Sequence, residues 1–171
     1  MEAWAAITAR RNVRTYSDRV IDRENLDRIL DAARRTPSSR NSQPWDFVVV
    51  TDRARLSELS KVWQGAGHVA GSAATVGVVT AASTDPKHRE TVAFDLGQAV
   101  MQMMITAADM GIGSAHGWVV DQDLARRVLA LPPDRELAWV VSLGYPADRP
   151  LMPIKKLNRR PFDEVVHRES W

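Results

Sequence analysis

Cysteine is absent from this chain of 171 residues, which excludes disulfides and thiolate metal sites. The absence fits a reducing compartment, and the cytoplasm is the expected location. The opening Met1-Glu2-Ala3-Trp4 lacks the apolar core of a signal peptide. Long hydrophobic runs are missing too. The most apolar stretch, Ala93 to Met110, is interrupted by Asp95, Gln98, Gln102, Thr106 and Asp109, which makes it a poor membrane span. Neither sign of charge dominates. The formal net charge is +2, with basic and acidic residues interleaved, and this speaks against a nucleic-acid partner. His68, His88, His116 and His167 fall at no metal-ligand spacing, so no metal site is expected. No G-x-S-x-G, Walker or kinase motif is present. Internal repeats and linkers are also lacking, and the length suits a single domain over residues 1–171.

What is present is an alternation of helical and strand patterns. Short helices are expected over 3–11 and 23–35, the second capped by Asp22 and carrying Leu26, Ile29, Leu30 and Ala33 on one face. Residues 12–17 look extended. Buried strands are expected over 46–51, 74–81 and 137–143, and helices after Asp52 and Asp121. A long helix over about 90–110 is apolar almost all round, which implies burial on more than one side and, in so short a chain, against a second copy. Gly111 ends it, and residues 111–119 turn into a strand. Residues 83–88 read as loop, the four prolines of 145–161 exclude helix, and 162–167 suits a closing strand. The pattern is that of an α/β or α+β layered fold.

Two glycine loops, beginning at Gly65 and Gly111, both read G-x-G-x-x-x-G. The third glycine is one place late and each loop follows a helix, so neither is a Rossmann fingerprint. Gly113 to Ala115 can still offer backbone N–H groups to a ligand. Of the histidines, His116 best suits a pocket wall. Trp45 and Trp118 sit on candidate pocket loops, while the other tryptophans read as core or interface. Two basic clusters stand out, Arg10-Arg11-Asn12-Val13-Arg14 and Lys155 to Arg160. Each alone reads as a solvated helix end or tail. Meeting around one dianion, they would form a phosphate site, and spacing alone does not decide between the two. The loop Pro37-Ser38-Ser39-Arg40-Asn41-Ser42-Gln43-Pro44-Trp45 packs hydroxyls, amides and backbone N–H groups at a strand edge, where ligands tend to bind.

Together these segments resemble the FMN-dependent nitroreductase family. The likeness runs through Ile7-Thr8-Ala9-Arg10-Arg11-Asn12-Val13-Arg14-Thr15-Tyr16, the Pro37 to Trp45 loop, Asp95-Leu96-Gly97-Gln98-Ala99, Gly111-Ile112-Gly113-Ser114, Leu143-Gly144-Tyr145-Pro146 and Arg159-Arg160-Pro161-Phe162. The resemblance implies an α+β, three-layer α/β/α sandwich with a mostly antiparallel central sheet, in an intertwined homodimer. It implies FMN as cofactor, with Arg10, Arg11, Asn12 and Arg14 on the phosphate and ribityl end and Arg159 or Arg160 closing over the phosphate. Arg14 serves either the phosphate or the N1/O2 side of the ring. Pro37, Ser38, Ser39 and Asn41 would reach the flavin from the other subunit, and Gly113, Ser114 and Ala115 would supply a backbone N–H to N5. Asn12 replaces a serine common in the family, and an amide still donates.

The activity implied is NAD(P)H oxidation with ping-pong hydride transfer to a nitroaromatic, quinone or similar small acceptor, and it calls for no catalytic acid or base. Alternatives are a flavin-storing protein of low turnover or a specialised relative such as a flavin destructase, a dehalogenase or a cyclic-dipeptide oxidase. The chain lacks the long insertion that covers the flavin in larger relatives, which leaves the substrate face open.

Overall fold

A computed structural model describes residues 2–156 and 158–171; Met1 and Leu157, the latter within the second basic cluster, lie outside it. Helix α1 spans Ala3–Ala9 and α2 Arg23–Arg34. Strand β1 (Asp46–Val50) leads to α3 (Arg53–Leu59), a 3-10 segment (Gln64–Val69) and β2 (Ala74–Ala81). Then come α4 (Pro86–Asp109), β3 (Gly113–Trp118), α5 (Gln122–Leu129) and β4 (Arg135–Gly144). The sheet order is β1-β2-β4-β3, with every neighbouring pair antiparallel.

Helices cover both faces of the sheet. On one side Leu26 and Ile29 of α2 and Leu96, Met103 and Met104 of α4 pack against Val76, Val78, Val141 and Leu143. On the other, Leu56 and Leu59 of α3, Val69 and Ala125 meet Val79, Leu137 and Val140. Each large side chain fully buried in these layers contributes roughly 1.5–3 kcal/mol of transfer free energy. Strand β2 is buried on both faces, and so its sequence, apart from the buried Thr75 and Thr80, is apolar with no alternation. One extra residue, Ala138, is accommodated in β4 between the partners of Val78 and Val79. This is the three-layer α+β sandwich that the resemblance implies.

Several local expectations need correction. Asp22 stands at the N-cap of α2 but its side chain makes no capping bond there. Helix α4 starts at Pro86, inside the segment read as loop. Proline suits a first turn because no N–H is needed there, and Asp85 accepts from the Lys87 N–H at 3.0 Å. The helix does stop at Gly111, which has φ +71°. Phe94 (69% exposed) and Met101 (43% exposed) leave an apolar flank of α4 uncovered within one chain. The tail is no closing strand. Phe162–Glu164 is a 3-10 turn whose bonds close on the segment itself, Glu164 N–H to Pro161 O and Val166 N–H to Phe162 O.

Residues 145–154 instead run back along the N-terminal segment. The Ala147 N–H donates to Thr15 O at 3.1 Å and the Ile154 N–H to Thr8 O at 3.1 Å. The two ends of the chain are thereby brought side by side.

Candidate functional site

The N-terminal segment is extended, as expected, and docks on the open edge of β3. The Val13 N–H donates to Ser114 O at 2.9 Å, and Asn12 bridges Ser114. The side chains of Val13 and Tyr16 press onto Gly113 and Gly144. A Cβ at Gly113 would lie 2.6 Å from Val13 Cγ2, and one at Gly144 2.6 Å from Tyr16 Cδ1. Glycine at both positions lets the segment seat, with Asn12 and Arg14 left exposed.

The arginines divide by what they touch. Arg11 is spent on the tail: its Nη2 donates to Asp148 Oδ1 at 2.7 Å and to Arg149 O at 2.9 Å. Arg160 pairs with Glu164 at 3.5 Å and donates to its carbonyl. Arg10 is half-buried and donates to Asn12 Oδ1 at 3.2 Å. Burial, with the nearby charge of Arg159, holds its pKa below the ordinary value. Among the described residues, none of Arg10, Arg14 and Arg159 pairs with a carboxylate. Cations from both ends of the chain crowd together without an acid, which is the electrostatic condition of an anion site.

Beside them lies a cavity of about 560 Å³ lined by Arg14, Trp63, Gly65, His116, Trp118, Val120 and Trp139. That size suits a small planar ligand. Trp139 is the pivot of the wall: His116 and Trp118 meet it edge-on, with ring centroids 5.7 and 5.4 Å away. Gly113, Ser114 and Ala115 are buried in the strand itself rather than displayed on a turn. Alternate residues of an antiparallel strand direct both backbone groups to the same side. Ser114 turns its carbonyl outward to Val13, so two and four residues on, His116 and Trp118 present theirs to the open edge, next to the cavity.

Behind this wall sits His68, 9% exposed, its Nδ1 2.7 Å from Ser142 Oγ. Burial, then the charges of Arg14 and His116, push its pKa from 6.5 down to about 4. The pKa of His116 is lowered likewise, by burial and by Arg10 and Arg14. Between these two values the unfolded chain binds a proton that folded His68 refuses. Stability is therefore expected to fall as pH drops from about 6.5 to about 4, and to level off below. Urea midpoints across that window should show the slope, and His68→Asn should flatten it.

The Pro37 to Trp45 loop is built separately. Ser39 to Asn41 form a 3-10 turn, and Arg40, Asn41 and Gln43 all take left-handed backbone, at φ 55, 55 and 49°. The turn is anchored by Asp95 of α4, a buried carboxylate (1% exposed) that accepts from the Ser39 N–H at 2.9 Å and from Ser39 Oγ at 3.3 Å. Ser38 Oγ accepts from the Gln43 N–H at 2.9 Å. Pro37 and Asn41 are exposed. None of Pro37, Ser38, Ser39 and Asn41 lines the cavity of their own chain. The structure thus gathers Arg10, Asn12, Arg14 and Arg159 and leaves the loop elsewhere. Trp63, Val120 and Trp139 join the wall without any signal in the sequence beyond being apolar, and Gly65 comes from the first of the two glycine loops.

Comparison with known proteins agrees with this architecture. The chain superposes on a crystal structure from Parabacteroides distasonis, provisionally named NADH dehydrogenase/NAD(P)H nitroreductase, with a TM-score of 0.84, 26% identity and coverage of 100% and 99% of the two chains. An FMN-dependent nitroreductase from Clostridium difficile shares the fold, with a TM-score of 0.84, 22% identity and coverage of 98% and 99%. The fold is that of the nitroreductase-like α+β proteins. The model of the Nitroreductase family matches residues 7–66. A protein of Archaeoglobus fulgidus, provisionally named NADH dehydrogenase/NAD(P)H nitroreductase, is 31% identical over 174 residues and 99% of each chain. This chain belongs to the nitroreductase family.

Proposed function

We propose that the protein is an FMN-dependent oxidoreductase that takes its electrons from NADH or NADPH and works as a cytoplasmic homodimer. The observation that carries this is the convergence of Arg10 and Arg159, from opposite ends of the chain, neither of them paired with a carboxylate among the described residues, with an aromatic cavity alongside. The residues fit a flavin mononucleotide. Arg10 and Arg159, with the Asn12 amide, hold the phosphate dianion. Arg14 lines the cavity and would set a positive charge beside the bound ring. The outward N–H of His116 or Trp118 takes the part expected of Gly113 to Ala115. The names of relatives accord with this: one is an FMN reductase [NAD(P)H], others NAD(P)H nitroreductases.

When bound, FMN supplies hydride transfer between a nicotinamide donor and an acceptor of the nitroaromatic or quinone class. Donor and acceptor would use the exposed face of the bound ring in turn, which would give ping-pong order. His116, with its lowered pKa, is neutral at pH 7 and donates or accepts a hydrogen bond without adding charge. No residue is needed as a dedicated acid or base. The Pro37 to Trp45 loop, lying off its own cavity, reaches the flavin of a partner copy, and the uncovered Phe94 and Met101 flank of α4 supports that pairing.

The test is direct. Purified protein should be yellow, release FMN on heating, elute as a dimer and be reduced by NADH or NADPH in stopped flow. Colourless protein that takes up no added FMN would overturn the reading. Normal FMN affinity with negligible reduction by either nicotinamide would point to flavin storage instead.

A further inference from the structure

We propose that His68 is a positioning residue for the cofactor-binding segment, acting through a one-way chain of hydrogen bonds that runs from His68 through Ser142 and Tyr16 to the carbonyl of Val13. The inference rests on the FMN reading above and adds a part for three residues that touch neither phosphate nor ring.

The chain follows from the distances. His68 Nδ1 is 2.7 Å from Ser142 Oγ, Ser142 Oγ is 2.7 Å from Tyr16 Oη, and Tyr16 Oη is 2.6 Å from Val13 O. Only one direction uses every proton. The Val13 carbonyl is an acceptor only, so at 2.6 Å it takes the tyrosine proton. Tyr16 Oη is then free to accept from Ser142, whose hydroxyl lies between it and a second acceptor, Ala115 O at 3.1 Å. At 2.7 Å against 3.1 Å the tyrosine oxygen takes the serine proton, so Ser142 Oγ receives one from Nδ1–H. The opposite tautomer would put N–H on Nε2, which is buried and has no partner. An N–H left bare in that position is costly, whereas a bare lone pair costs less. Tyr16 stays a donor at every working pH, because burial raises its pKa to about 12.

The far end of the chain is the cofactor segment. Val13 has its N–H on Ser114 O and its carbonyl on Tyr16, so both of its backbone groups are tied. Its neighbours are Asn12, bonded to Arg10, and Arg14, on the cavity wall. His68 itself lies in the Gln64–Val69 segment that supplies Gly65 to the same wall. A purely space-filling residue would bury its volume without an orphaned nitrogen. The groups facing the imidazole are Arg14 and His116, and both disfavour its charged form. Neutral His68 is therefore the form that holds the chain.

The experiment measures FMN affinity of the cofactor-stripped full chain at pH 7.5 by quenching of flavin fluorescence, with thermal unfolding recorded alongside. Tyr16→Phe and His68→Leu should each weaken FMN about tenfold, as expected for one well-placed hydrogen bond. The double variant should be little worse than either single, because both break the same chain. His68→Asn keeps an amide donor at the Nδ1 position and should stay within about threefold of wild type, whereas His68→Gln, which reaches the Nε2 position, should resemble His68→Leu. The proposal is overturned if His68→Leu binds within threefold of wild type. It is overturned equally if Asn and Gln bind alike, or if the two single effects multiply. Should His68→Leu not fold, the Asn and Gln pair decides. Wild-type protein that binds no FMN would sink the functional reading, an outcome separate from all of these.

Discussion

Arg10→Ala is expected to weaken FMN binding by at least about 100-fold. A guanidinium on a phosphate makes charge-assisted, two-pronged hydrogen bonds, each worth roughly 1.5–3 kcal/mol, and two of them exceed the energy of that ratio. Arg159→Ala should lose a comparable amount, since burial and Arg159 together define the field at Arg10. Arg160→Ala should stay within about threefold, because its guanidinium is engaged by Glu164. Arg10→Ala should behave in the opposite sense without cofactor. Arg10 is half-buried against a like charge, so its removal relieves repulsion, and the cofactor-free variant should unfold at or above the wild-type temperature. Titration with FMN and melting of the stripped protein test both halves. An Arg10→Ala protein with unchanged FMN affinity would remove the phosphate assignment.

The second large effect is expected at Gly144. A methyl group there would sit 2.6 Å from Cδ1 and 2.8 Å from Cγ of Tyr16, with the tyrosine half-buried and bonded at its hydroxyl. Gly144→Ala must expel the ring or bend β4. Overpacking of this kind costs roughly 1–3 kcal/mol, or about 2–12 °C in melting temperature for a chain of this size. Because Tyr16 anchors the stretch that carries Asn12 and Arg14, FMN affinity should fall with it. Gly113→Ala should act similarly through Val13. Gly71→Ala is the control, because a Cβ at that position meets nothing within 4 Å. If Gly144→Ala melts and binds like the control, the docking of residues 12–16 on the sheet does not support the site.

Much of the architecture was legible where burial is simple. The runs 74–81 and 137–143 are apolar because they lie inside a sheet covered on both faces, whereas 46–51, expected to be buried, forms the edge strand β1 with only Val50 buried; each run still matches an observed strand apart from its ends. The spacing of Leu26, Ile29 and Ala33 likewise matches the buried face of α2. Errors arose where distant residues decide. Gly113-Ser114-Ala115 looks like a turn by composition, yet Val13 packs on Gly113 and the register with β4 makes it strand. The Phe162 to His167 pattern suits a strand, but the segment turns on itself and closes its backbone bonds internally.

The candidate site was legible in its charges and less so in its walls. Arg10 and Arg159 were named by motif, but only their neighbours separate Arg159 from Arg160. His116 and Trp118 stand out as pocket residues and do line the cavity, whereas Trp45, which stands out likewise, does not. Trp63 and Trp139 do not stand out, because a tryptophan at a helix end or in a strand looks like core until the layers are assembled.

The unpaired margin of β3 carries a cost in the empty protein. Outward amides and carbonyls at His116 and Trp118, flanked by an exposed indole, form a template onto which a stray extended peptide can add. A flavin lying against that margin would occupy it. Preparations stripped of FMN should therefore aggregate faster on gentle warming than loaded ones, by more than their difference in melting temperature explains, and added riboflavin phosphate should act as a solubiliser as well as a cofactor.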